Sequence, residues 1–99
     1  MYRGTTPTLT FTLPFECSTI TLLNIAFSQQ GKLVLEKELS DCTVEGNKLT
    51  VTLSEEDTLK FECLKMVDIQ LRCGCGESRM ASQIISVCAE RILKDGCLA

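Results

Sequence analysis

Histidine and tryptophan are absent from this 99-residue chain, and only 5% of its residues are aromatic. Histidine is the commonest general base at neutral pH and a frequent zinc ligand, so its absence removes the usual catalytic and metal-binding constellations. With so few aromatic rings, the core must be built from leucine, isoleucine and valine. The composition therefore predicts a small aliphatic domain that is not an enzyme and holds no cofactor.

A basic face is also missing, because 13 Asp and Glu residues outnumber 10 scattered Lys and Arg residues. Proteins that bind nucleic acid gather cationic side chains to displace the counterions of the phosphates. The apolar runs are a few residues long, far short of the roughly 20 that cross a bilayer. Residues 1–16 lack the continuous apolar stretch of a secretory signal. We therefore expect synthesis in the cytoplasm and neither nucleic-acid nor membrane partners.

What the sequence does contain is alternation of apolar and polar residues with a period of two, which is typical of half-buried strands. Between the alternating segments, polar clusters that include glycine, at 29–32 and 45–48, predict hairpin turns. The alternation is clearest in TLTFTL (8–13), TITLLNIAFS (19–28), LVLEKEL (33–39), LTVTL (49–53) and MVDIQLRC (66–73).

Two of these strands carry specific expectations about side-chain direction. In the third segment, Leu33 and Leu35 are predicted to point toward the core together, because they are two residues apart. Residues 80–93 are predicted to form the last and longest strand. Its adjacent Ile84 and Ile85 break the alternation, which indicates a β-bulge or burial on both faces.

Residues 54–61 (SEEDTLKF) are the one segment with helical character. Ser54 can accept a hydrogen bond from the first turn, and Glu55, Glu56 and Asp57 place negative charge at the positive end of the helix dipole. A short helical turn near residues 54–60 is therefore predicted. Together with about seven strands, it indicates an all-β fold: one antiparallel, immunoglobulin-like β-sandwich domain over residues 1–99.

The seven cysteines are an odd number, which argues against a complete disulfide framework. Two of them lie in LRCGCGESR (71–79). If residues 66–73 pair with residues 80–91, Cys73 lies opposite Met80, and Gly74 and Gly76 give the connecting loop its freedom. We interpret the thiols as reduced, small apolar side chains. The alternative is a metal-binding or redox site in which the fold brings together Cys63, Cys73, Cys75 and Cys88.

Other catalytic patterns are weaker. Arg72 and Arg79 could lower the pKa of the Cys73 thiol, but no base is present to orient a cysteine nucleophile. Glu36 and Glu38 share one face of a strand, which is an arrangement that paired glycosidase carboxylates also have, but a solvated outer face explains them better. An interaction or structural role is therefore favoured.

Three segments, RGTTPTLTFTLPF, TVEGNKLTVTLSEEDTLKF and SQIISV followed by ERILKDG, resemble short proteins of the tail regions of phages and prophages of Gram-positive bacteria. The order of an opening strand, alternating strands, a short acidic helix, a long strand and a final hairpin is similar to the immunoglobulin-like N-terminal domain of phage baseplate upper proteins. The resemblance implies a tail- or baseplate-associated building block of the virion. Such a block works by contact with other phage structural proteins or with itself.

In such a module the exposed edges of the sandwich are the expected contact sites, because edge strands carry unpaired backbone groups. The threonine-rich first strand is the main candidate, with Thr8, Thr10 and Thr12 as the interface residues. Two alternatives to a virion protein stay open. One is the cysteine-dependent metal or redox protein, and the other is a cytoplasmic regulatory module that binds a host protein.

Overall fold

The alternating segments fold as strands in a computed structural model that describes residues 1–94 and Gly96. Within this part of the chain there are eight strands and one short α-helix, α1 (Glu55–Leu59). The strands are β1 (Thr8–Thr12), β2 (Leu22–Gln29), β3 (Lys32–Glu38), β4 (Cys42–Glu45), β5 (Lys48–Thr52), β6 (Met66–Cys75), β7 (Ser78–Ala81) and β8 (Ile85–Cys88).

The strands form two antiparallel sheets. One has three strands in the order β1-β5-β4. The other has five, in the order β3-β2-β6, with β7 and β8 placed one after the other along the remaining side of β6. The structure thus confirms the predicted all-β sandwich and its short helix.

The core lies between the two sheets. Every second residue of a strand points into it, as the alternation predicts. β5 buries both of its apolar side chains, Leu49 and Val51, and β2 and β6 contribute their inward apolar residues from the opposite sheet. The rings of Phe27 and Phe61 lie 6.0 Å apart in this core. Its largest fully buried side chains are Phe27, Phe61, Ile25, Leu49, Leu53, Leu71, Val51 and Val67.

Two-residue turns close the hairpins and fix their registers. β2 and β3 are joined by Gln30 and Gly31, which have φ values of 51° and 78°. The two predicted polar clusters are both confirmed as turns. The predicted register of the last hairpin is confirmed as well, because Cys73 pairs with Met80.

The prediction that Leu33 points inward with Leu35 is wrong. The register between β2 and β3 shifts at Phe27, which pairs with Leu35, while the next residue of β2 pairs with Leu33. This bulge places Val34 against the core and leaves Leu33 56% exposed. An extra residue in one strand reverses the side-chain directions that follow, which a period-two count does not foresee.

The predicted long strand over residues 80–93 is also wrong, because the chain pairs as two short strands. Between them, the Ser82 backbone N–H donates to Leu71 O at 2.8 Å, and the Ser82 hydroxyl accepts from Leu71 N–H at 3.0 Å. The Ser82 hydroxyl thus takes the place of a backbone carbonyl as acceptor for the Leu71 N–H, and the β6–β7 ladder ends there. Ile84 and Ile85 are not buried on both faces, since they are 62% and 49% exposed.

Helix α1 begins with a capping box, as its sequence predicts. Ser54 Oγ accepts from Asp57 N–H at 3.0 Å, and the Asp57 carboxylate accepts from Ser54 N–H at 3.0 Å. At the other end, the Arg3 guanidinium donates to the carbonyls of Leu59 and Phe61 at 3.0 and 2.6 Å. The helix is therefore attached to the N-terminal segment of the chain.

Candidate interaction surface

Within residues 1–94, no backbone group pairs with the outer edge of β1. Leu13 N–H donates to Asn47 O at 2.8 Å, and Leu53 N–H donates to Pro7 O at 3.0 Å, so the odd-numbered residues of this segment bond to β5. Backbone groups alternate in direction along an antiparallel strand. The N–H and C=O groups of the even-numbered positions therefore point away from the sheet, and these positions are Thr8, Thr10 and Thr12.

The side chains of β1 make it a two-faced strand. Its three threonines are exposed, while Leu9 and Phe11 are half-buried and pack against the core. The Thr8 hydroxyl lies 3.0 Å from that of Thr52 on β5 and so ties the edge to its neighbour. The structure therefore places the three predicted interface residues together on one exposed edge.

The other exposed edges are protected in ways that β1 is not. β3 carries charged side chains along most of its length, and the short β4 is flanked by Asp41 and ends in Glu45. Charges on an edge strand discourage pairing with another chain. β1 has no charged residue, and only Pro7 and Pro14 limit its length.

β8 is the second uncharged edge, and its end is already occupied. The Met1 ammonium donates to Cys88 O at 3.0 Å, and Glu90 N–H donates to Met1 O at 2.6 Å. This N-terminal segment runs parallel to residues 88–90 and leads directly to β1. The N-terminal segment thus connects the end of β8 to the start of β1, and Ile84 and Ile85 near the start of β8 are exposed.

The structure does not bring the four predicted sulfur ligands together. Cys63 is exposed after α1, and Cys88 pairs with Met66 at the start of β6. Cys73 lies seven residues further along β6, roughly 23 Å away at the rise of a strand. Among the described residues, no group of three or more Cys, Asp or Glu side chains is arranged to hold a metal ion. Cys97 lies outside the described residues.

Cys73 is an inward strand residue as predicted, whereas Cys75 extends the strand and is not part of the loop, and both have Cys17 as a neighbour. Burial, followed by the adjacent Cys75 sulfur, raises the pKa of the Cys73 thiol, and the Cys17 sulfur adds to the effect. Burial, Glu16 and Cys75 likewise raise the pKa of Cys17. Thiols with raised pKa values are poor nucleophiles and poor metal ligands. The geometry therefore favours packing as the role of these side chains.

One buried ion pair connects the two layers. Lys37 of β3 lies 2.8 Å from Asp57 of α1, with side chains 17% and 12% exposed. Burial by itself raises the pKa of Asp57, but the hydrogen bonds from Lys37 and Ser54 outweigh it and hold that pKa below its usual value. This pair was not predicted from the sequence, although Lys37 is in phase with the inward Leu35 and an inward charge requires a partner.

An open cleft of about 740 Å³ lies at one end of the five-stranded sheet and is lined by residues of both of its faces. It lies where β2 begins and β6 ends, and the short 3-10 turn Leu39–Asp41 stands at one side. Its lining includes Leu22, Asn24, Glu38, Leu39, Arg72, Gly74, Arg79 and Met80. Arg72 and Arg79, which the sequence suggested only as activators of a thiol, both line this cleft.

Comparison with known proteins gives no relative, since no family model, no curated protein and no solved structure matches the chain. The helices in the described part of the chain are too short and too polar to cross a bilayer. The features of the molecule that bear on its function are therefore the free edge of β1, the thiols, the buried ion pair and the cleft.

Proposed function

We propose that the chain is a non-enzymatic structural or accessory protein of a phage or prophage particle, associated with the tail or baseplate, that acts by strand-to-strand contact through β1. The observation that carries the contact is the free edge itself, with outward N–H and C=O groups at Thr8, Thr10 and Thr12 and no protecting charge. The resemblance of the sequence to phage tail-region proteins supports the setting.

The partner we propose for β1 is a second copy of the chain. Two β1 strands related by a two-fold axis can pair antiparallel and join the three-stranded sheets into one six-stranded sheet. Threonine pairs across strands are compatible, and the absence of charge removes the repulsion between like residues that identical edges usually meet.

A substitution at Thr10 tests this contact with little effect on the fold. Thr10→Pro removes an N–H that points away from β5, so no hydrogen bond of the β1–β5 ladder is lost. Val44→Pro is the matched control, because Val44 pairs with Leu49 on the opposite edge of the same sheet and its N–H also points outward. Circular dichroism checks that both variants keep the fold.

Sedimentation equilibrium at 5 to 100 µM then gives the result. We expect the wild-type chain and Val44→Pro to form dimers and Thr10→Pro to stay monomeric over this range. A wild-type monomer at 100 µM, or a Thr10→Pro variant that dimerises like the wild type, would refute self-association through β1.

The particle assignment has its own test. Mass spectrometry of purified, nuclease-treated particles from a lysogen that encodes the chain should detect it together with tail and baseplate proteins. Flanking genes for tail-tube, tape-measure or lysis proteins are expected. A chain that stays in the cleared lysate at normal expression and is missing from the particles would contradict the assignment, whatever its oligomeric state.

A further inference from the structure

Gly74 occupies a position where glycine is not needed for the backbone. It lies within β6, in an extended conformation that any residue adopts, and glycine weakens a strand interior. A Cβ at this position would lie 3.0 Å from Arg79 Nη1 and 3.3 Å from Leu22 Cβ. Gly74 therefore makes room for the Arg79 guanidinium, which lies over the strand.

The Arg79 guanidinium is held in place but not neutralised. Its Nη1 donates to Gly76 O in the turn after β6 at 2.9 Å and to Ser78 O at the start of β7 at 3.0 Å. Its other N–H groups make no hydrogen bond to any residue in the described ranges, and no carboxylate there forms a salt bridge with it. A guanidinium has five donors in a fixed plane, so three stay available on the cleft side.

Arg72 lies on the same face as Arg79. In the sheet register, Leu22, Gly74 and Arg79 form one row across three strands, and Asn24, Arg72 and Ala81 form the next. Adjacent rows and strands place the two arginines roughly 8 Å apart at their Cα atoms. Within residues 1–94, Arg72 also has no carboxylate partner. One carboxylate between them can thus bind both guanidinium groups.

Apolar side chains border this charged end of the cleft. Leu22 is 55% exposed in the same row as Gly74 and Arg79, and Leu39 lines the cleft next to Glu38. Glu38 lines the opposite rim, two strands away from Arg72. The cleft therefore has a cationic end next to apolar walls, which is complementary to an acidic residue flanked by aliphatic ones.

We propose that the cleft over Gly74 binds an extended acidic peptide segment of a partner protein, with a carboxylate on Arg72 and Arg79 and an aliphatic side chain against Leu22. Bidentate carboxylate binding by arginine supplies the specificity, and the apolar walls exclude water from it. This site is independent of the proposed β1 contact, because it lies on the other sheet.

The probe is the blocked tripeptide Ac-Leu-Glu-Leu-NH₂, titrated into the ¹⁵N-labelled chain while amide shifts are followed by NMR. We expect saturable shifts centred on Leu22, Gly74 and Arg79, with Ac-Leu-Gln-Leu-NH₂ binding at least about fivefold more weakly because it lacks the charge. Arg79→Gln should weaken binding of the Glu peptide to a similar extent. Arg91→Gln, an exposed arginine outside the cleft, should leave it unchanged.

Two further measurements test whether the site binds a peptide and whether the Arg79 guanidinium is needed for it. Sodium acetate at equal carboxylate concentration should produce weaker and less localised shifts. Equal shifts from acetate, or equal affinity for the Glu and Gln peptides, would overturn the peptide site. Gly74→Ala, which displaces the Arg79 guanidinium, should also weaken binding, and full affinity in that variant or in Arg79→Gln would refute the role of the guanidinium.

Discussion

Replacing Asp57 with asparagine tests whether the buried ion pair stabilises the sandwich. The pair joins Lys37 Nζ and Asp57 Oδ2 at 2.8 Å, and both side chains are mostly buried. Asparagine keeps an oxygen that can accept from Ser54 N–H, so the helix cap survives and only the negative charge is removed. The Lys37 ammonium is then left without its carboxylate partner in a largely dry site.

The expected loss lies between two known limits. Breaking a fully buried pair by removing one partner costs about 3 to 5 kcal/mol, whereas an exposed pair contributes about 0 to 1 kcal/mol. Lys37 is 17% exposed, so water reaches part of its side chain. We therefore expect Asp57→Asn to lower the free energy of unfolding by about 2 to 3 kcal/mol in urea titrations at pH 7.

The effect of pH on this loss has a definite sign. The pKa of Asp57 is lower in the folded chain than its ordinary value, so the folded state releases this proton more readily than the unfolded state. Its contribution to stability is complete above the unfolded pKa, about 3.9, and is lost as pH falls through the folded pKa. The difference between the wild type and Asp57→Asn should therefore shrink between pH 5 and pH 2.

Two comparisons make the result interpretable. Glu77→Gln removes an exposed carboxylate from the turn after β6 and should unfold like the wild type. Lys37→Met combined with Asp57→Asn completes a double-mutant cycle, in which we expect a coupling energy of at least about 1 kcal/mol. An Asp57→Asn variant within 0.5 kcal/mol of the wild type, with the same acid dependence, would refute this account of the pair.

Three smaller predictions follow from single positions. Cys73→Ser buries a hydroxyl in an apolar site and should cost about 1 to 2 kcal/mol by urea unfolding, while Cys63→Ser, on the surface, should match the wild type. Gln29→Ala leaves the N–H and C=O of Glu62 unpaired, which the Gln29 amide binds at 2.7 and 2.9 Å, and should cost about 2 to 3 kcal/mol. Gly76→Ala, at φ 60° in the last hairpin, should lower the melting temperature at a cost of about 1 kcal/mol.

Features set by local pattern were predictable from the sequence. The capping box of α1 depends on Ser54 and Asp57 three residues apart, and the hairpin turn at Gly31 depends on residues that tolerate positive φ. The pairing of Cys73 with Met80 followed from counting outward from a short turn. In each of these the cause lies within a few residues of the effect.

The predictions that were wrong have a different common cause, because each depends on a contact between distant parts of the chain. The bulge that exposes Leu33 is a property of the β2–β3 register, and β7 ends because Ser82 bonds to Leu71 on another strand. The same applies to the candidate sites. Arg79 reaches the cleft only because Gly74, five residues earlier and across a hairpin, has no side chain. The alternation of apolar and polar residues describes each strand separately, so it carries no information about pairs that join two strands.

The two proposed contacts can operate together, because they use different sheets. Thr10 lies on the edge of the three-stranded sheet, whereas Arg79 and Leu22 lie on the outer face of the five-stranded sheet. Neither set of residues is needed by the other, so pairing through β1 leaves the cleft open on both copies. A dimer would then present two identical acidic-peptide sites, and Thr10→Pro should abolish two-site binding while each monomer keeps its affinity. Two contacts that can be removed one at a time are what we expect of an adaptor that joins two proteins, whereas a structural protein with one contact would lose all binding at once.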